Sequence, residues 1–302
     1  MKLEGVFSVL PTPFTNAGDV DVDGLCRVVD FFVKAGVNGV TALGVTGEVA
    51  RLNERERGIV LDTVLGRVNG RIPVVAGTTA DGLRTCIEYS RHAQSAGASA
   101  VMVSPPRMPK LNSDAVLAHF SALSSAVEVE IVIQDYPPIS GFSMEPLLLA
   151  RIAREVPRAR TIKLEDPPTP FKTSRILAQC DGIEVSVLGG LGGVFLLEEL
   201  LAGASGVMTG FAYPEMLVDV VQLFKSGQVD EAADAFYRYV PLMRFEFQEG
   251  LGMSIRKEVL HRRGVLTEAT IRPPGTMMGG SDRAALDLLL RWMRDKQRVS
   301  WT

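Results

Sequence analysis

The sequence predicts an α/β fold: a (β/α)8 TIM barrel with a C-terminal helical extension. Three observations carry this expectation. Short β-rich apolar runs alternate with helical patterns through residue 225. Runs such as 37–43, 72–76 and 131–133 are apolar without clean alternation, as in parallel strands buried on both faces. No strand pattern follows residue 226, so residues 1–225 are expected to form the barrel and 226–302 the extension. A chain of 302 residues suits a single barrel, which commonly runs about 200–250 residues, plus additions.

Strands are expected to begin near Val6, Gly39, Pro73, Ala100, Ile131, Thr161, Glu184 and Gly206. Helix starts are signalled by Asp23, Asn53, Asp81, and Asn112 or Ser113. Ser143 before Met144-Glu145-Pro146 has the form of an N-cap with proline inside the first turn. Eight units at similar spacing favour a closed barrel over a doubly wound sheet, and no G-x-G-x-x-G follows the first strand. Residues 228–249, 252–264 and 281–297 read as helices of the extension, with a loop at Pro273-Pro274-Gly275.

Composition narrows the function. Apolar residues make up 46% and charged residues 22%, ordinary values for a globular protein. The net charge of −3 argues against a basic nucleic-acid-binding face, so the expected partner is a small molecule. Cys26, Cys86 and Cys180 are odd in number and lack metal-type spacing, which fits a reducing cytoplasm. The N-terminus lacks a signal-peptide pattern, and no apolar run reaches membrane-spanning length, so no membrane partner is expected.

Ligands of such barrels bind at the C-terminal ends of the strands. His92, His119 and His261 all fall in expected helices, so no metal site is expected. Of eight lysines, only Lys163 sits at the end of an expected strand, inside Thr161-Ile162-Lys163-Leu164. Burial disfavours a charged amine, and a neutral amine can condense with a carbonyl to form a Schiff base. The competing reading is a structural lysine paired with Glu165 or Asp166. The pentapeptide Gly44-Val45-Thr46-Gly47-Glu48 follows the second strand. Its backbone N–H groups can converge on an anion such as a carboxylate, or it is simply a tight turn.

Six motifs in order now point one way: 5–14 (GVFSVLPTPF); 19–24 (DVDVDG); Gly44-Val45-Thr46-Gly47-Glu48 with Leu52-Asn53-Glu54 and Glu56; 73–78 (PVVAGT); Ile162-Lys163; and 203–209 (GASGVMT). From residue 5 to about 297 the chain resembles the dihydrodipicolinate synthase / N-acetylneuraminate lyase superfamily of Schiff-base lyases. That resemblance implies a class I mechanism on a 2-keto acid, with no cofactor beyond the imine on Lys163. It implies that Thr46, with the amides of Val45 and Gly47, holds the α-carboxylate, and that the assembly is a homotetramer or homodimer.

The departures are specific. The superfamily's strand-five motif opens with a relay tyrosine followed by Asn-x-Pro, whereas this chain reads Ile133-Gln134-Asp135-Tyr136-Pro137. Gln134 takes the tyrosine's place, and Tyr136 comes two residues late. Ile139 stands where true synthases carry an arginine, and 104–107 (SPPR) lacks the tyrosine that completes the relay. Lys163-Leu164-Glu165 replaces the usual Lys-Glu. Gln-Asp-x-Pro with Lys-x-Glu looks like the sugar-acid branch, especially the 2-keto-3-deoxyarabonate dehydratases.

The expected catalytic set is therefore Lys163, Glu165 and Gln134, with Thr46, Val45, Gly47, Tyr136 and Met208 around the substrate. Asp135, Arg107 and Gly190 are further candidates: Arg107 for a distal polar group, Gly190 for close approach of loop and substrate. Residues two apart on a strand share a face, so Glu165 can remove the C3 proton of an imine on Lys163. Glutamine cannot relay protons, which tilts the expectation from aldol cleavage toward dehydration. Aldol cleavage releasing pyruvate, deamination of a cyclic imine acid, synthase-like condensation and a non-enzymatic keto-acid-binding barrel remain alternatives.

Overall fold

The computed structural model describes residues 2–297. Eight parallel strands close into a barrel in sequence order: β1 (Gly5–Val9), β2 (Gly39–Ala42), β3 (Val74–Gly77), β4 (Ala100–Val103), β5 (Glu130–Asp135), β6 (Thr161–Leu164), β7 (Ser186–Gly189) and β8 (Gly206–Thr209). Pairing of β1 with β8, through Gly5↔Gly206 and Phe7↔Met208, closes the ring.

The barrel's helices are α1 (Val22–Lys34), α2 (Glu54–Val68), α3 (Leu83–Ser95), α4 (Ser113–Ala126), the single turn α5 (Pro137–Ser140), α6 (Pro146–Glu155), α7 (Thr169–Gln179), α8 (Leu196–Leu201) and α9 (Pro214–Lys225). The extension adds α10 (Val229–Glu246), α11 (Gly252–Arg262) and α12 (Gly280–Gln297). No helix among the described residues is long and apolar enough to cross a membrane.

Two apolar layers follow from strand alternation. Phe7, Val75, Met102, Val132, Leu188 and Met208 fill the barrel interior. The outward residues, such as Ile131, Ile133, Ile162 and Leu164, pack beneath the helices in a second, larger core.

Several helix starts follow the sequence, and others shift. Asn53 caps α2 in a full capping box with Glu56, and Asn112 accepts from the Ala115 N–H to cap α4. The cap of α1 is Asp21 rather than Asp23, because the Asp21 carboxylate reaches the Gly24 N–H. Gly82 precedes α3, and Asp81 instead accepts the Arg107 N–H. Ser143 does not cap α6: Glu145 holds the cap position, Pro146 opens the helix, and the Ser143 hydroxyl donates to Asp166.

Candidate active site

Strand alternation places the expected catalytic residues on one wall. On β5, Val132 and Gln134 face inward while Asp135 faces the helices. Register sets Gln134 beside Lys163, and Lys163 beside Leu188 of β7. Lys163 is 3% exposed, and its Nζ lies 2.9 Å from Glu165 Oε2. The Gln134 amide donates to the same oxygen at 2.7 Å, and its carbonyl accepts from the Ser104 hydroxyl at 3.1 Å. These two bonds fix the amide's orientation. They also hold Glu165 against Lys163, where it can take a proton from the amine or from a carbon bound to it.

Gly190 serves that wall by lacking a side chain. A Cβ there would come within 2.3 Å of Glu165 Cγ, so the carboxylate needs a glycine beside it. The polar chain runs Ser104–Gln134–Glu165–Lys163, from the ends of three adjacent strands.

The opposite side of the mouth is built from the turn after β2. Val45–Gly47 form one 3-10 turn, closed by Gly47 N–H to Gly44 O and Glu48 N–H to Val45 O, both at 3.0 Å. Such a turn leaves its first amides unclaimed within the turn. Gly47 fits beneath Leu10, and its carbonyl accepts from Thr12 at 2.7 Å. Glu48 adopts left-handed φ +57°, a costly conformation for a residue with a side chain. Buried ties hold it there: its carboxylate binds Lys257 of α11 and accepts from Arg51 at 2.7 Å. Burial pulls the Lys257 ammonium down to about 8, with Glu48 opposing that shift.

Between these walls lies a cavity of about 220 Å3, lined by Val45, Thr46, Tyr136, Lys163, Glu165 and Thr209 among others. Burial raises the Tyr136 phenol's pKa, and the nearby carboxylates of Glu165 and Glu249 add to the effect. A larger groove of about 650 Å3 lies at the other end of the barrel, near the starts of β3 and β4 around Arg71, Pro73 and Ser99. It lacks both a lysine and the strand C-termini where barrels do their chemistry.

Lys163, Glu165, Thr46, Val45 and Tyr136 thus meet at one cavity, with Gln134 behind them. Other expected residues stand elsewhere. Met208 is fully buried in the interior layer, and the cavity is lined by the next residues, Thr209 and Gly210. Asp135 faces outward, bound to Lys172 at 2.6 Å. Arg107 lies exposed on the loop after β4 and does not line the cavity. Among the described residues no group of three or more His, Cys, Asp or Glu side chains is placed to hold a metal.

The sequence reading missed the contribution of the extension. Residues 246–250 with Gly252, Met253 and Arg256 form one side of the cavity. Arg256 is buried, and its Nε donates to Glu246 Oε2 at 3.1 Å. A run such as Ile255-Arg256-Lys257 reads as a helix with a solvated face; here both cations are buried.

Residues 2–291 match the dihydrodipicolinate synthetase family. The chain belongs to that family. It is a lyase, and its closed eight-strand barrel is shared with solved structures of that family. The L-2-keto-3-deoxyarabonate dehydratase of Azospirillum brasilense is 29% identical over 302 residues, covering 95% of this chain and 96% of that one. The 4-hydroxy-tetrahydrodipicolinate synthase of Methanothrix thermoacetophila is 31% identical, covering 96% and 97%. The crystal structure of dihydrodipicolinate synthase from Rhodopseudomonas palustris superposes with a TM-score of 0.90 at 36% identity, over 96% of this chain and 97% of that one.

Proposed function

We propose that this protein dehydrates a 2-keto-3-deoxy sugar acid through an imine on Lys163. The observation that carries the reading is the contact of Lys163, Glu165 and Gln134 on one wall, with the glutamine in the place of a relay tyrosine. The named relative from Azospirillum brasilense supports the same reaction.

Lys163 Nζ, relieved of a proton by Glu165, attacks the C2 carbonyl, and water leaves to give the iminium. Glu165 then takes a C3 proton, and the C3–H electrons flow into the iminium to form an enamine. The enamine returns those electrons as the C4–O bond breaks, and the hydroxyl departs as water with the proton that Glu165 took from C3. Hydrolysis of the conjugated imine frees Lys163 and the dehydrated keto acid. Gln134 keeps Glu165 aimed at C3 without exchanging protons itself.

A second reading is aldol cleavage, favoured by Tyr136, whose side chain reaches the same cavity as Glu165. Its phenol would take the C4 hydroxyl proton. Synthase-like condensation has the support of several relatives' names, but Ile139 brings no charge to a second carboxylate. Product analysis with 2-keto-3-deoxy pentonates and hexonates separates these. Dehydration yields a single keto acid of unchanged carbon number, whereas cleavage yields pyruvate plus an aldehyde, and condensation shows itself only when pyruvate and a semialdehyde are supplied together; cleavage or condensation would overturn the dehydratase reading.

A further inference from the structure

Three cations line the cavity: Arg51, Lys163 and Arg256. Arg51 is held by Glu48 at 2.7 Å and Lys163 by Glu165 at 2.9 Å. Arg256 is held by Glu246 through Nε alone. Its Nη1 is buried without a hydrogen-bond partner, and so is the Thr46 hydroxyl. The two atoms crowd the same bare glycine: a Cβ on Gly210 would lie 2.7 Å from Arg256 Nη1 and 3.1 Å from Thr46 Oγ1. Arg256 is 7% exposed, so water does not freely satisfy that donor. A charged N–H kept out of water without an acceptor is costly, and an anionic ligand oxygen relieves the cost.

We propose that Arg256 is the charged half of the carboxylate seat. Its Nη1 and the Thr46 hydroxyl together grip the C1 carboxylate of the 2-keto acid beside the carbon that Lys163 attacks. This rests on the reading of Lys163 as the imine-forming lysine. C1 is bonded to the imine carbon, so its seat must share a cavity with Lys163, as Arg256 and Thr46 do. The seat is assembled from the β2 turn, the end of β8 and α11. The extension is thereby part of the substrate site, and the ligand class is a keto acid with a free, ionised carboxylate. Neutral esters of the same skeleton lack the group that Arg256 reads.

The test is borohydride trapping as a function of concentration, with pyruvate and methyl pyruvate as probes. The variants are Arg256→Lys and the double variant Arg256→Met/Glu246→Gln, which leaves no lone buried carboxylate. In the double variant the half-saturating pyruvate concentration should rise about 10–100-fold, the range for a charge-assisted hydrogen bond. That for methyl pyruvate should hardly move, and Arg256→Lys should recover part of the loss. Equal changes for both probes, or none, would overturn the seat. So would a loss confined to longer 2-keto acids, which would place Arg256 at the substrate's far end. A wild type that no keto acid labels at Lys163 sinks the imine reading by itself. Calorimetric titration of pyruvate onto Lys163→Ala, with and without the double variant, still reads the seat, and unchanged affinity there overturns it.

Discussion

Two lysine–carboxylate constellations sit back to back on the β5–β6 wall, and they differ in what they leave free. Inside, Lys163 meets one carboxylate, Glu165, whose same oxygen also accepts from Gln134. Outside, Lys172 of α7 is gripped by Asp135 at 2.6 Å and Asp166 at 2.7 Å. Burial pushes Asp135 up to about 6, with Lys172 opposing, while the Lys172 and Ser143 hydrogen bonds outweigh desolvation and lower Asp166. Two acids around one ammonium hold it in place and away from the cavity. One acid beside a lysine that opens into a cavity is, on the proposed reading, a base beside its nucleophile. Ion pairing alone does not mark a catalytic lysine; the surplus or shortage of acceptors around it does.

The largest effect that would break this contrast is on the inner lysine. Lys163→Ala should abolish turnover and borohydride labelling while the thermal midpoint stays close to wild type; labelling that moves to Lys172 would erase the distinction. Next comes the inner acid. Glu165→Gln should be labelled at Lys163 more slowly but to the same extent, yet lose deuterium exchange at C3 of the bound imine by about 10²–10⁴-fold, as general bases typically contribute. Undiminished exchange in D2O would remove Glu165 as the base and leave Tyr136 as the next candidate.

The outer pair predicts the reverse pattern. Lys172→Met strands Asp135, and breaking a buried pair in this way costs about 3–5 kcal/mol. Denaturant melts should show that loss, while labelling at Lys163 persists in the folded protein. A stable Lys172→Met protein without labelling would assign Lys172 to the chemistry.

The smallest expected effect concerns a buried acid with no lysine. Glu199 of α8 accepts from Thr169 at 2.6 Å, and its other oxygen lies against Gly189 without a partner. Burial pushes it up to about 7. The folded protein therefore holds a proton that the unfolded chain releases above the ordinary carboxylate range near 4.5. Stability from this group is fully present below that range and falls as pH rises through about 7. Melts between pH 5 and 8 should show the decline, and Glu199→Gln should make it shallower, leaving the share of Asp135 and Glu246, which burial also raises; an unchanged slope would show that Glu199 is not a titrating group.

Much of the inner wall was legible because it depends on covalent spacing. Lys163 and Glu165 are two residues apart on one strand, so they share a face whatever packs around them. The same alternation turns Gln134 inward and Asp135 outward, and it puts Met208 in the interior layer while the following residues reach the cavity. The barrel's order of strands and helices followed from apolar runs and turn signals. Helix starts were less secure, because a cap depends on which carboxylate reaches an N–H, as Asp21 rather than Asp23 does.

The sequence by itself therefore determined the barrel, the family and the lysine wall, since these rest on periodicity and on motifs short enough to act locally. Only the tertiary structure decided which lysine faces two acids and which faces one. It alone brought Arg256 to Thr46 and Lys257 to Glu48, joining α11 to the β2 turn across most of the chain. Nothing in local spacing encodes such pairs. They arise when the extension packs over the barrel mouth and carries charged residues out of water, where each must find a partner or a ligand.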